Sequence, residues 1–370
     1  MSTQDTPRTP NQEPAGAQEH LENAIELQDV AGLSQGQIVR RRFLRHKGAI
    51  VGMVVLAAIV VLSLTSVGFG PVPGWWKYTG ASDPVITNPG GRPTLSMPTW
   101  LGGEGFAIGE HPLGQDEIGR DIFAQVMKGV QTSLMVIVVV GAVSTAIGVL
   151  VGALAGFYRG RLDTALMRST DLVITMPTIV IGAVVGKLAG GISGVLFALA
   201  LGLILWPSLA RLVRGEFLAL REREFVDAAR VAGSSSRRII FKHILPNAIG
   251  VVIVSATLLM SQAILLEAAL SYLGFGITPP EVSLGQLISI YQSAFATRPW
   301  LFWWPGLFIV LIALCINFIG DGLRDAFDPR QKRIPSQRAM DRAAARSGLV
   351  PTSGTAGGTS LPGGAGVGSP

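Results

Sequence analysis

Charge is scarce in this sequence. Only 15% of its 370 residues are Asp, Glu, Lys or Arg, against roughly 25% in soluble domains. The shortage is concentrated: residues 188–210 and 244–266 carry no charged side chain, and each stretch is long enough to cross a hydrocarbon core of ~30 Å as a helix. Cysteine is nearly absent. The single Cys315 lies in an apolar run, which excludes an intramolecular disulfide and makes it a small buried apolar residue. His20, His46, His111 and His243 are scattered without metal-ligand spacing, so no metal site is expected. A G-x-x-x-x-G-K-[ST] loop is also missing, since Gly182 to Lys187 has the wrong spacing, and no nucleotide is expected to bind this chain. Nothing clusters a nucleophile, a base and an oxyanion donor, so the chain is not expected to be an enzyme.

Basic residues outnumber acidic ones, 30 to 24, and the isoelectric point is about 9.8. They are not gathered into one patch with interleaved aromatics, which argues against nucleic acid as a partner. They lie in short loops beside apolar runs, where they orient a protein in the bilayer.

These gaps predict an all-α membrane protein with six transmembrane helices, at about 48–65, 133–157, 172–188, 194–210, 245–266 and 300–320. Helices are required there because a lone strand leaves its backbone groups unpaired in lipid. With six crossings and the N-terminus inside, the outer loops hold only Lys77, Arg92, Arg120, Lys128, Lys187 and Arg298 of the 30 Lys and Arg. Counting 171–211 as one crossing sends a strongly basic insert outside, against the positive-inside rule. Three segments follow: a polar N-terminal tail over 1–35, a helical membrane domain over 36–333, and a Gly/Ser/Thr/Pro-rich tail over 334–370. Both tails are expected to be disordered and cytoplasmic.

Within the long first outer loop, Ile118, Ile122, Val126 and Val130 recur at four-residue steps and predict a separate helix, lying on the membrane or on the next span or forming a lip of a substrate passage. Gly148, Gly152 and Gly156 form a GxxxGxxxG ladder suited to close helix packing. Gly190-Gly191 is expected to turn the chain between the third and fourth crossings, and Pro177 and Pro207 to kink those helices.

The insert Arg211 to His243 is polar and punctuated. Phe225, Ala228, Ala229 and Ala232 recur at i, i+3, i+4 and i+7, a shallow apolar face opposite Glu224, Asp227 and Arg230. Gly233 is placed to end that helix. Ser234-Ser235-Ser236 can cap a second, over about 236–244, with Ile239 and Ile240 inward and Arg237, Arg238 and Lys242 outward. Pro246 is expected to mark re-entry into the membrane.

The run Asp227-Ala228-Ala229-x3-Gly233, followed by Leu245-Pro246, resembles the EAA loop of ATP-binding-cassette import permeases, Glu-Ala-Ala-x3-Gly-x9-Ile-x-Leu-Pro. Asp227 stands where that pattern has Glu, and His243 where it has Ile. Further runs are similar to the dipeptide/oligopeptide/nickel branch, and to its second, C-type permease. They are Arg41-Arg42-Phe43-Leu44-Arg45-His46-Lys47, His111-Pro112-Leu113-Gly114-Gln115-Asp116-Glu117-Ile118-Gly119-Arg120-Asp121, and Gly320-Asp321-Gly322-Leu323-Arg324-Asp325-Ala326-Phe327-Asp328-Pro329-Arg330.

The resemblance implies a multi-pass permease of the bacterial inner membrane, carrying peptides. Its implied partners are a homologous B-type permease, ATP-binding-cassette ATPase subunits and an extracytoplasmic solute-binding protein, which would meet the 273–298 loop. ATP and Mg belong to the ATPase, and this chain holds no cofactor. Glu224, Phe225, Asp227, Ala228, Ala229, Gly233, Leu245 and Pro246 would couple it to the motor. Glu267, at the expected outer end of the fifth span, is the candidate for the translocation path, because an ionisable group inside a membrane segment is a functional candidate by default. Alternatives are a permease for nickel or other small solutes, and an ion-coupled secondary transporter. The latter suits internal repeats and ionisable groups at mid-span, and the spans show neither.

Overall fold

The computed structural model describes residues 35–78, 86–96, 99–101, 105–188 and 193–328. Most of the two tails (1–34 and 334–370) and the Gly190-Gly191 turn lie outside them. Residues Val39–Asp328 form one compact unit, and its described elements are helical apart from a two-residue hairpin, Gly68–Phe69 with Val72–Pro73.

The helices, in chain order, are α1 (Gln35–Phe43), α2 (Lys47–Ser66), α3 (Ile122–Tyr158), α4 (Gly160–Thr175), α5 (Thr178–Leu188), α6 (Gly194–Arg221), α7 (Glu224–Val231), α8 (Ser236–Tyr272), α9 (Leu284–Tyr291) and α10 (Trp300–Phe327). Among the described residues, α2, α3, α6, α8 and α10 are long and apolar enough to cross a membrane; α4 and α5 make a sixth candidate as a bent pair. The protein is an all-α membrane protein.

Three elements differ from the sequence expectation. The apolar stripe before the second crossing is not a separate helix. Asp121 caps the N-terminus of α3, accepting from the Ala124 N–H at 2.8 Å, and α3 then runs unbroken for 37 residues. Ile122, Val126 and Val130 are buried in the bundle, while Ile118 is exposed. Second, the expected 172–188 crossing is not a single rod: α4 and α5 meet at 82°. Pro177 lacks an N–H and pushes Met176 to an extended backbone, φ −85 and ψ 132. Third, the helix expected over about 236–244 does not end before the next crossing but runs on into it. Pro246 lies in the first turn of the α-helical part, Leu245–Tyr272, directly after a π-helical stretch, Ile239–Ile244. The π stretch makes i→i+5 bonds, including Leu245 N–H to Ile240 O. Pro207, by contrast, is accommodated inside α6.

The glycine ladder sets the spacing of α3 and α6. A Cβ on Gly148 would come within 2.5 Å of Leu209 Cδ2, one on Gly152 within 2.5 Å of Ala210 O, and one on Gly156 within 2.6 Å of Phe217 Cβ. Only hydrogen fits at these three positions. Ser144 adds a bond to Gly202 O at 2.8 Å. One core surrounds Val140, Leu201, Phe217, Ile244 and Ala263. A second surrounds Ile122, Met127, Leu284, Leu301 and Ile312.

Candidate functional site

The sequence-predicted coupling residues sit at one end of the bundle: Glu224, Phe225, Asp227, Ala228 and Ala229 on a short helix between two long ones, Gly233 just past its end, and Leu245 and Pro246 on α8. Arg223 turns the chain out of α6 with an extended backbone, φ −86 and ψ 145, and α7 follows. Its end is a Schellman motif: Ser234 N–H donates to Ala229 O at 3.0 Å and Gly233 N–H to Arg230 O at 2.9 Å. Gly233 takes φ 78 there. A Cβ would meet no atom within 4 Å, so glycine is required for its backbone and not for space. Ser235 then caps the next turn, accepting from Arg238 N–H at 3.4 Å.

The inner face of α7 is Val226, fully buried, and Ala229, almost so. Ala229 therefore does not share the outward face expected with Phe225, Ala228 and Ala232, which are all exposed. At about 100° per residue, Glu224, Ala228 and Val231 lie along one outward line. Phe225 and Ala232 edge it on one side and Asp227 on the other. The acidic residues thus flank or interrupt the apolar strip instead of opposing it. Val231, which the sequence pattern did not single out, is 91% exposed. Its spacing of i+3 from Ala228 was the available signal. Glu224 and Asp227 stand in the first turn and Arg230 in the last, each favourable to the helix dipole. Asp227 pairs with Arg230 at 3.0 Å, an exposed pair worth ~0–1 kcal/mol.

The corner beneath α7 is fastened to α3 and α4. Arg221 donates to Phe157 O and stacks its guanidinium over the Phe157 ring at 5.8 Å. Arg159 pairs with Glu222 at 2.6 Å. Arg214 on α6 grips Asp163 on α4 twice, Nε to Oδ1 at 2.6 Å and Nη2 to Oδ2 at 2.7 Å. On the far flank, Ile239, Ile240 and Ile244 are buried, and Arg237, Arg238 and Lys242 are exposed. Leu245 is half-buried and Pro246 exposed. A helix with an outward apolar strip is thereby seated on a base fastened to α3 and α4.

Glu267 lies elsewhere, and its surroundings differ from the expected passage lining. It is fully buried on α8. Three serine hydroxyls donate to it: Ser283 to Oε1 at 2.7 Å, Ser271 to Oε1 at 2.8 Å and Ser133 to Oε2 at 3.3 Å. The carboxyl joins α3, α8 and the N-terminus of α9, where Ser283 and Gln286 form a capping box. Ser271, four residues on, shares the face of α8 with Glu267 and was locally legible, but Ser133 and Ser283 come from other elements and no sequence pattern joins them to it.

The other end of α9 is held by the His111–Asp121 run. Tyr291 donates its hydroxyl to Asp116 Oδ2 at 3.1 Å, and Arg120 Nε donates to the same oxygen at 2.7 Å. Asp121, besides capping α3, accepts from Trp76 Nε1 at 2.8 Å and faces His111 Nδ1 at 2.8 Å. His111, Gln115, Asp116 and Asp121 are all buried, so this run ties the loop before α3 to α9.

Residues 148–333 match the family of binding-protein-dependent transport system inner membrane components. Residues 34–81 match the N-terminal TM domain of oligopeptide transport permease C. A Brucella ovis protein named as a peptide permease is 40% identical over 303 residues, covering 80% of this chain and 92% of that protein. The oligopeptide transport system permease protein OppC of Mycobacterium tuberculosis is 37% identical over 302 residues, 81% of this chain and 97% of that one. Its Haemophilus influenzae namesake is 35% identical over 322 residues, 87% and 97%. Among solved structures, an inward-facing MetNI methionine ABC transporter chain aligns with a TM-score of 0.46 at 22% identity, covering 55% of this chain and 96% of that one.

Proposed function

Because this chain belongs to the family of binding-protein-dependent transport system inner membrane components, we propose that it is the second permease subunit of an ATP-driven peptide importer. It forms half of a membrane passage with a homologous permease. Two ATP-binding-cassette subunits attach on the cytoplasmic side, and a solute-binding protein delivers peptide from outside. The relatives' names support peptide as the cargo. Hydrolysis takes place in the partner ATPase, which holds ATP and Mg.

The observation that carries the reading is the exposed strip Glu224, Phe225, Ala228, Val231 and Ala232 on a helix whose other face, Val226 and Ala229, is locked into the bundle. Such a helix transmits displacement, since its base cannot yield without moving α6 and α8. ATP binding draws the two motor subunits together, α7 moves with its groove, and the flanking helices tilt between inward- and outward-open states. Nucleotide biases a two-state membrane element by binding one state of the motor better. In this arrangement the 211–243 insert and both termini are cytoplasmic.

The test uses the assembled complex in proteoliposomes. Ala228→Cys, in a Cys315→Ala background, is expected to crosslink to the ATPase subunit, and wild-type complex to take up labelled oligopeptide only with ATP and binding protein. Labelling of Ala228→Cys by an impermeant reagent from outside intact cells rules the reading out. So does uptake that follows a proton or sodium gradient without ATP.

A further inference from the structure

The elbow between α1 and α2 carries five cationic side chains and one histidine within Arg40–Lys47, and five of these six residues fall into two sets. Arg42 donates to Asp328 O at 2.9 Å. His46 accepts from Ala49 N–H through Nδ1 at 3.0 Å, while its Nε2 faces Asp325 at 3.4 Å. Behind them α2 closes on α10, where a Cβ on Gly322 would fall 2.3 Å from Ala49 Cβ. Those contacts fix the elbow against the end of α10. Arg40, Arg45 and Lys47 are exposed and have no ion pair among the described residues. Leu44, between them, is 55% exposed.

Depth decides what faces these groups. Lys47 is the first residue of α2, a 20-residue apolar helix whose length of about 30 Å matches the hydrocarbon core. The helix cannot span unless its first residue stands at the headgroup layer. That depth sets Lys47 at the headgroup layer, and Arg45, Leu44 and Arg40 are tied to it through the elbow, where Leu44 N–H donates to Arg40 O at 3.0 Å and the long basic stems can reach phosphate. Positive charge at that depth complements an anionic headgroup. The fixed elbow keeps the cations together, where a free tail would lose more entropy in gathering them.

We propose that the α1–α2 elbow is a binding site for an anionic phospholipid headgroup, held by Arg40, Arg45 and Lys47. Each charge near an anionic surface contributes about fivefold in binding. The full-length chain, purified in mild detergent, is exposed to phosphatidylglycerol or phosphatidylcholine, and retained lipid is counted by native mass spectrometry. Wild type is expected to retain phosphatidylglycerol preferentially, and the variant Arg40→Gln/Arg45→Gln/Lys47→Gln to lose at least tenfold of that retention. Arg237→Gln/Arg238→Gln, which alters exposed cations elsewhere, is expected to change nothing.

A second measurement does not depend on the triple variant folding. Leu44→Cys, labelled with a fluorophore in a Cys315→Ala background, is expected to be quenched at least twofold more by brominated phosphatidylglycerol than by brominated phosphatidylcholine in vesicles. Equal quenching by the two lipids overturns the proposal, as does undiminished retention in a folded triple variant. Displacement of the lipid by equimolar inorganic phosphate also overturns it, because the site then reads phosphate and not lipid. If phosphatidylglycerol is retained only after residues 1–34 are removed, the acidic N-terminal segment is the occupant and the lipid assignment is wrong.

Discussion

Ser283 does two things at once for Glu267: its hydroxyl donates to Glu267 Oε1 at 2.7 Å while accepting from the Gln286 N–H at 3.1 Å. The carboxyl on α8 thus reaches the first turn of α9 through the residue that caps it. Removing the carboxyl leaves three buried hydroxyls without their acceptor. Glu267→Ala is expected to destabilise the folded chain by about 3 kcal/mol. Glu267→Gln, which keeps one acceptor oxygen, is expected to cost ~1 kcal/mol. Thermal unfolding of the purified permease distinguishes them. A neutral outcome for the alanine variant, with altered peptide preference, returns Glu267 to the passage.

The Arg214–Asp163 grip holds α4 on the helix that leads into α7. Arg214→Leu strands a mostly buried Asp163 and is expected to cost about 1–3 kcal/mol, together with a loss of uptake per ATP hydrolysed. The exchange Asp163→Arg/Arg214→Asp is expected to recover part of both. If the exchange is no better than either single change, the pair does not hold the two helices together.

At Gly233 the demand is conformational. Gly233→Ala is expected to cost about 1 kcal/mol, the strain of a side chain at positive φ, with modest loss of uptake. Gly233→Pro also deletes the N–H that reaches Arg230 O, and is expected to lower ATP-driven uptake at least tenfold while membrane insertion stays normal. Asp227→Arg reverses the charge at the edge of the exposed strip and is expected to uncouple transport likewise. Uptake by proteoliposomes, with insertion checked by protease protection, decides. Survival of transport in both variants removes α7 from the coupling path.

Tyr291 gives a pH signature. Burial, and then the neighbouring Asp116 carboxylate, raise its phenol above the ordinary range, which lies near ~10. A raised value means that the neutral phenol is favoured in the folded chain. Its contribution is fully present below ~10 and is lost as pH climbs through the folded value. Tyr291→Phe is expected to cost ~1 kcal/mol at neutral pH and to remove that part of the alkaline loss. Melting temperatures from pH 8 upward test it. Parallel curves for the two proteins contradict the prediction.

Much of this was visible in the sequence, for identifiable reasons. A charge gap reports membrane burial directly, so the apolar cores of α2, α6, α8 and α10 could be read from composition. Gly233 and Ser235 act through local backbone chemistry and were also legible, as was the ladder of Gly148, Gly152 and Gly156. The α4–α5 angle was not. Pro177 signals a break, but the direction after Met176 is set by what the two helices pack against. The facing of α7 was half legible: adjacent alanines at 228 and 229 look alike to any pattern, and only the pocket that accepts Val226 turns Ala229 inward. Glu267 was noticed as an isolated carboxyl. Its partner Ser271 follows from the helical i,i+4 spacing, while Ser133 and Ser283 are brought to it by tertiary packing.

Helix α8 spans Ser236 to Tyr272, 37 residues and about 55 Å of continuous backbone. Its π stretch changes the winding without introducing a joint. The beam that starts next to α7 therefore ends at the Glu267 cluster, and α9 is joined to that end through Ser283. Under the proposed function, displacement at α7 is expected to travel to the Glu267 end along one continuous beam, with no intervening loop to reorganise.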